Sequence, residues 1–312
     1  MNKLLIVSKD AEEYANHLRY RNLPALQMSM AQNTEQAQEL ITDANIVLGT
    51  PALVAPLLHK ADKLQWVQSS FAGIEPFCSA GLRTDYRLTG VKDIFGSLMS
   101  EYVFAYLLAF ERNVLATRDN QLNKQWQTMP YRRLEFLSIG ICGLGSIGQQ
   151  IAKTAMHFNM KVLGLSRSAT QLPMVEKVFS PSEICHLAKQ VDYLVTVLPN
   201  TPETHGIINR DVLDALGPTG VFINVGRGAA VDEYALINAL KTKAIRGAVL
   251  DVFQTEPLPQ ESPLWELENV FITPHNSAIT FAEDIVELFC ENYRLFQAGE
   301  ALNYIVDFDR QY

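Results

Sequence analysis

Three polar residues in the second half of this 312-residue chain have types and spacing that suit carbonyl chemistry. Arg227 lies in Asn224-Val225-Gly226-Arg227-Gly228, Glu256 in Asp251-Val252-Phe253-Gln254-Thr255-Glu256-Pro257, and His275 in Thr273-Pro274-His275-Asn276. Each segment follows a short apolar run that reads as a strand. In open α/β sheets, ligands bind just beyond the carboxyl ends of strands. A guanidinium can bind a carboxylate bidentately and polarise the carbonyl beside it. An imidazole can protonate the carbonyl oxygen as the carbon is reduced. A carboxylate on the other ring nitrogen fixes the tautomer and favours the charged ring. Singly, Arg227 reads as a solvated loop arginine, Glu256 as a surface acid and His275 as a satisfied core histidine. Together they supply the parts for reducing a carbonyl group. His17, His59, His157, His186 and His205 lack such company.

The reductant has a candidate site upstream. Gly143-Leu144-Gly145-Ser146-Ile147-Gly148 fits the pattern GxGxxG, follows the apolar run Ile139–Cys142 and opens an amphipathic stretch. That strand–turn–helix setting is what the pattern needs. Gly143 allows the tight turn, Gly145 lets a pyrophosphate approach the backbone, and Gly148 lets helix and strand pack closely. The helix start adds free N–H groups and a positive dipole end. A nicotinamide dinucleotide is therefore the expected cofactor. NAD sites usually carry Asp or Glu about 20 residues on, against the ribose 2′-hydroxyl. Here Ser166, 18 residues after Gly148, opens Ser166-Arg167-Ser168 instead. Arg167 can pair with a 2′-phosphate and the serines can donate to it. NADP(H) is thus favoured, with NAD(H) possible. The bland alternative has Arg167 stacking on adenine or facing water.

The elements that must position these groups read as alternating strands and helices. Leu4–Val7, Ile46–Leu48 and Leu64–Val67 look like strands, with helical patterns over Asp10–Tyr20 and Thr34–Ile41. A second series has strands at Ser138–Cys142, Lys161–Leu165, Val191–Leu198, Val221–Val225, Gly247–Leu250 and Val270–Ile272, with a helix over Ile147–Phe158. Such alternation predicts parallel sheets covered by helices. The fold class expected is α/β, with two Rossmann-like domains built on doubly wound parallel sheets. Ser97–Asn120 reads as one long helix at the domain boundary, suited to a core, connecting or dimer role. A last amphipathic helix over Ala282–Gln297 is stopped by Gly299.

Composition narrows the function classes. The chain has 26 basic and 34 acidic side chains, a net charge of −8, with no Lys/Arg-rich run. A nucleic-acid partner is not expected from that balance. The N-terminal apolar run is too short for a signal segment, and no stretch suits a membrane span. Cys78, Cys142, Cys185 and Cys290 lie far apart, without zinc-ligand spacing, so no metal is expected and a reducing, cytoplasmic setting is.

With these motifs in hand, the chain resembles the D-isomer-specific 2-hydroxyacid dehydrogenase family over nearly its whole length. The matching pieces are the glycine turn, Val195–Pro199 with Thr201-Pro202-Glu203-Thr204, Asn224–Gly228, Gly247–Pro257 and Thr273–His275. The Arg/Glu/His triplet follows the family's order, 29 residues from Arg227 to Glu256 and 19 from Glu256 to His275. The resemblance implies that Arg227 anchors substrate, His275 is the acid/base and Glu256 tunes it. It implies cofactor contacts from the glycine turn, Leu198, Pro199, Thr204, Val225, Gly226, Arg227, His275 and Ser277, with Asp251 near the nicotinamide amide. It gives Ala72, Gly73 and Ile74 backbone donors for the substrate carboxylate. A discontinuous, flavodoxin-like substrate domain of residues 1–97 and 280–312 is implied, with a dinucleotide domain at 98–279, a cleft between them and a homodimer.

Three departures stand out: the acid after the second strand is missing, Glu75 stands where Asp often follows the Ala-Gly-hydrophobic trio, and Glu135–Ser138 lacks the usual glycine before the nucleotide strand. The Ser-Arg-Ser turn and the Trp126…Tyr131-Arg132-Arg133 stretch are most similar to NADP-dependent glyoxylate/hydroxypyruvate reductases. In that stretch Trp126 and Arg132 read equally as a core and a surface residue. The implied substrate is a small 2-keto or 2-hydroxy acid. Alternatives are an enzyme similar to D-3-phosphoglycerate dehydrogenase and a dinucleotide-sensing module similar to C-terminal binding protein corepressors.

Overall fold

A computed structural model describes residues 1–168 and 171–308. The chain forms two compact units: Met1–Ile94 with Thr280–Tyr312, of which 309–312 lie outside the described residues, and Phe95–Ile279.

The first unit runs β1 (Asn2–Val7), α1 (Ala11–Arg19), β2 (Leu26–Ala31), α2 (Thr34–Leu40), β3 (Ile46–Gly49), α3 (Pro51–Val54), β4 (Trp66–Ser69) and β5 (Arg87–Thr89). Its strands are parallel, in the order β2-β1-β3-β4-β5. Because strand side chains alternate between faces, Leu5, Val7, Val47, Val67 and Leu88 fall on one side, in a core with Ala37, Ile41, Leu57 and Leu58.

The second unit begins with α4 (Gly96–Glu111) and α5 (Val114–Leu122). It continues through β6 (Ser138–Cys142), α6 (Ser146–His157), β7 (Lys161–Leu165), β8 (Lys177–Phe179), α7 (Ile184–Ala188), β9 (Tyr193–Thr196), α8 (Arg210–Leu216), β10 (Val221–Asn224), α9 (Glu233–Lys241), β11 (Gly247–Leu250) and β12 (Val270–Ile272). The seven parallel strands are ordered β12-β11-β10-β9-β6-β7-β8. α4 and α6 cover one face over Ile139, Ile141, Val195, Ile223 and Val249. The helices α7, α8 and α9 cover the other over Cys142, Leu194, Phe222 and Leu250.

The chain then returns to the first unit as α10 (Ala282–Ala298), ended by Gly299 at φ 72°. Trp66 stacks on Phe289 and Phe296 of α10, with ring centroids 5.0 and 5.5 Å apart. Buried Asn292 donates to Gln68 Oε1 at 3.2 Å and accepts from the Asn303 N–H at 2.7 Å. The segment beyond closes on β5, where Val306 N–H donates to Leu88 O at 2.8 Å and Gly90 N–H to Tyr304 O at 2.9 Å.

Two expectations from the sequence need correction. The single helix over 97–120 is two, broken at Asn113, which sits at φ 50°, ψ 42°. Asn tolerates that left-handed geometry better than most residues, and its Nδ2 is held by Pro130 O at 2.8 Å. Trp126 is fully exposed, so it is no core residue, and Arg132 is no free surface residue. Arg132 makes a bidentate pair with buried Glu111, at 2.7 and 3.0 Å, and reaches Asp192 at 2.8 Å. Arg246 and the Tyr193 hydroxyl donate to the same Glu111 oxygen, each at 2.5 Å. Ser138, Tyr193 and Gly247 open β6, β9 and β11, so this cluster lies at the amino-terminal edge of the sheet, away from the strand ends that carry the motifs.

Candidate active site

The glycine turn joins β6 to α6. Gly143 has φ 103°, which favours glycine. A Cβ on Gly148 would lie 1.9 Å from Gly143 O, so the helix can sit this close to the turn only without a side chain there. A Cβ on Gly145 would meet nothing within 4 Å. Gly145 is the N-cap of α6 and supplies no side-chain cap to the first helical N–H groups, which have no partner within the helix. That cradle suits a pyrophosphate. Leu144 turns inward and packs over Gly164 of β7.

At the end of β7, Ser166 and Ser168 share a hydrogen bond at 3.1 Å, and Arg167 is exposed between them. Glu203 titrates below the usual carboxylate range. Its own backbone N–H is the largest cause, followed by the Thr201 hydroxyl, and the Arg167 charge adds to them. The 199–204 loop therefore sits within electrostatic reach of Arg167. In that loop the Thr204 hydroxyl donates to Pro199 O at 2.6 Å and accepts from Thr201 N–H at 3.0 Å. It is thus committed to shaping the loop.

Arg227 follows β10. Asn224 builds its turn, accepting from Gly226 N–H at 3.1 Å and donating to Arg227 O at 3.2 Å. Val225 is buried. A Cβ on Gly226 would lie 2.8 Å from the Leu198 backbone, and one on Gly228 would lie 1.9 Å from Phe253 C. These two close approaches hold the Arg227 loop against the end of β9 on one side and the Glu256 loop on the other. The sequence reading gave Gly226 to the cofactor; the packing against Leu198 is a second reason for glycine there. Arg227 Nη1 donates to Gly226 O at 2.9 Å.

Glu256 and His275 meet. His275 Nδ1 lies 2.7 Å from Glu256 Oε2, while Glu256 Oε1 accepts from Phe253 N–H at 2.9 Å. With Nδ1–H donated to Glu256, Nε2 is the nitrogen left for a substrate. The ring is half exposed. Asp251, at the end of β11, is fully buried and accepts from the Thr273 hydroxyl at 2.6 Å, Asn276 N–H at 2.8 Å and Ser277 N–H at 3.1 Å. The 273–277 loop is therefore wrapped around this carboxylate. The Ser277 hydroxyl faces Met99 Sδ at 3.3 Å.

The other residues marked in the sequence, Ala72, Gly73 and Ile74, belong to the first unit. Ala72 is exposed, Gly73 is half-buried, and the Ile74 side chain is in the core. Ser69 shapes their turn, its hydroxyl donating to Phe71 O at 2.7 Å and accepting from Phe71 N–H at 3.1 Å. Sequence reasoning missed Thr273, Asn224 and Ser69 as positioning groups. Only the first two stood inside segments already marked as motifs.

Known proteins resemble this chain in sequence and in fold. Residues 104–277 match the sequence pattern of the D-isomer specific 2-hydroxyacid dehydrogenase NAD binding domain. The structure is similar to that of a D-isomer specific 2-hydroxyacid dehydrogenase family protein from Aeromonas salmonicida, at 43% identity and TM-score 0.95 over 99% of each chain. It is also similar to a probable 2-hydroxyacid dehydrogenase from Rhizobium etli in complex with NADP, HEPES and L(+)-tartaric acid (28% identity, TM-score 0.86, 100% of each chain). A third likeness is to an NADPH-dependent glyoxylate/hydroxypyruvate reductase from Sinorhizobium meliloti in complex with NADP and sulfate (25% identity, TM-score 0.88, 100% of each chain). The strand-end motifs, the two parallel sheets and these matches together assign the chain to the D-isomer specific 2-hydroxyacid dehydrogenases, oxidoreductases that act on CH–OH groups.

Proposed function

We propose that this chain reduces a small 2-keto acid, of the glyoxylate or hydroxypyruvate class, to the D-2-hydroxy acid with NADPH. The observation that carries this reading is the His275–Glu256 pair at 2.7 Å, on loops packed beside that of Arg227. The reduced nicotinamide, when bound, supplies a hydride to the carbonyl carbon. Arg227 holds the keto-acid carboxylate and polarises the carbonyl. His275 Nε2 gives its proton to the carbonyl oxygen as the C=O π bond breaks. Glu256 stabilises the charged ring before that transfer and keeps Nδ1 protonated after it. Ala72, Gly73 and Ile74 offer backbone donors to the carboxylate. Residues 98–279 serve as the dinucleotide domain, and 1–97 with 280–312 as the substrate domain.

Preference for NADPH rests on Ser166-Arg167-Ser168, and NADP in the Rhizobium etli and Sinorhizobium meliloti structures supports it. The test is oxidation of NADPH and of NADH, followed by absorbance, with glyoxylate, hydroxypyruvate, pyruvate and 3-phosphohydroxypyruvate. Turnover with NADPH on the first two is expected, whereas turnover confined to NADH or to the phosphorylated acid would replace this reading. Arg167→Ala should weaken NADPH by about 10- to 100-fold, the size of a charge-assisted hydrogen bond, and leave NADH nearly untouched. Equal losses for both would remove Arg167 from the 2′-phosphate.

We further propose that the protein works as a cytoplasmic homodimer. α5 has no buried residue, and Val114, Leu115, Leu122 and Trp126 are exposed along it and just after it. Such a run of apolar side chains suits a self-complementary contact. Sedimentation equilibrium should give about twice the 34.9 kDa chain mass, and Leu122→Lys with Trp126→Lys should return the monomer. A monomeric wild-type protein would overturn the assembly.

A further inference from the structure

We propose that Tyr102, on α4, is a positioning residue for His275, acting through Thr273 and Asp251. This rests on the reading of His275 as the proton donor. His275 has φ 52°, a conformation that a histidine does not favour on its own. The loop is kept there by two backbone bonds, His275 N–H to Asp251 O at 2.9 Å and to Thr273 O at 3.1 Å. Around it, the buried Asp251 carboxylate gathers the Thr273 hydroxyl and two backbone N–H groups.

The Tyr102 hydroxyl lies 2.6 Å from Thr273 Oγ1. Thr273 has one hydroxyl proton, and it goes to Asp251 Oδ1. A carboxylate accepts and does not donate, so Tyr102 must be the donor in its own contact. The result is a one-way chain, Tyr102 to Thr273 to Asp251. It fixes the Thr273 rotor, and with it the oxygen around which residues 273–277 are folded. Burial raises the Tyr102 hydroxyl well above the ordinary tyrosine range, which keeps it a donor throughout the working pH range.

The ring itself is held separately. Tyr102 packs on Tyr106 with centroids 4.7 Å apart, and Tyr106 packs on Phe271 of β12 at 5.2 Å. Tyr102→Phe therefore keeps the packing and removes only the hydroxyl. That variant is expected to lower kcat about ten-fold, as one lost buried hydrogen bond expressed in the rate would. Substrate KM, dinucleotide Kd by fluorescence titration and Tm should stay close to wild type. Thr273→Val should lose a similar factor, and the double variant no more than the larger single loss, because both cut the same chain. Tyr106→Phe removes a hydroxyl one turn along the same helix and should leave kcat unchanged.

The outcomes separate cleanly. Wild-type kcat in Tyr102→Phe, with His275→Ala inactive, overturns the inference and leaves the reading of His275 standing. Multiplying losses in the double variant, or a fall in kcat matched by equal losses in Tm and dinucleotide affinity, also overturns it. Full turnover in His275→Ala removes the reading on which it rests.

Discussion

His275→Ala is expected to lower kcat by about 10²- to 10⁴-fold, the usual worth of a positioned general acid, with dinucleotide affinity nearly unchanged. The ring is half exposed, so truncation opens no core cavity. The loop is shaped by the backbone N–H of His275 and by the bonds to Asp251, none of which needs the imidazole. Alanine is less at ease than histidine at φ 52°, so His275→Asn is the better partner variant, because asparagine accepts left-handed geometry. Both variants should lose turnover alike. Single-turnover oxidation of the bound reduced dinucleotide, with binding followed by fluorescence, separates chemistry from affinity. Turnover within a few-fold of wild type would remove His275 from the proton transfer.

Glu111→Ala should destabilise the second unit by about 3–5 kcal/mol, the cost of breaking a buried ion pair by removing one partner. Glu111 is 1% exposed and anchors Arg132 and Arg246 together with the Tyr193 hydroxyl. Without it, Arg132 keeps the Asp192 carboxylate, and Arg246 keeps the uncharged Phe110 carbonyl. Burial alone would raise the Glu111 carboxyl. The hydrogen bonds from Arg132 and Tyr193 and the charges of Arg246 and Arg132 outweigh it, and the net shift is downward. A carboxyl lowered in the folded state contributes stability above its ordinary value of 4.5 and loses it as pH falls through the folded value. The midpoint of urea unfolding should therefore hold from neutral pH to about the ordinary carboxylate range and fall below it. In Glu111→Gln this contribution to the acid-side fall should disappear. An unchanged midpoint in Glu111→Ala would mean that the pairs contribute nothing net.

The parts of the molecule most legible in the sequence are those encoded by neighbours along the chain. The turn from Gly143 to Gly148 carries its geometry in six consecutive residues. The central strands β6, β7 and β11 are apolar runs because they are buried on both faces. The strands that escaped notice are β2, β5 and β8, all at sheet edges. β2 has one buried residue, Ala31, and alternates apolar with polar side chains, and β5 and β8 have three residues each, so none shows an apolar run. Arg132 was illegible for another reason: its partners Glu111 and Asp192, and the Arg246 that shares Glu111 with it, come from distant parts of the chain. The placement of His275 beside Glu256 was an inference from two strand ends. The bonds that fold the 273–277 loop around Asp251 join β11 to β12 across a long connection and leave no local pattern.

The closure of the first sheet by α10 has a consequence for synthesis. Trp66 and its side of the sheet are covered by Phe289 and Phe296, and the edge of β5 away from β4 is closed by residues 304–306. A chain growing from the ribosome reaches those residues only after the whole of the second unit has been made. Until then, the first ninety or so residues carry a bare aromatic face and an open strand edge, surfaces prone to stray association. The contiguous unit from Phe95 to Ile279 has all its residues before that. The segment made before the second unit is completed only after it.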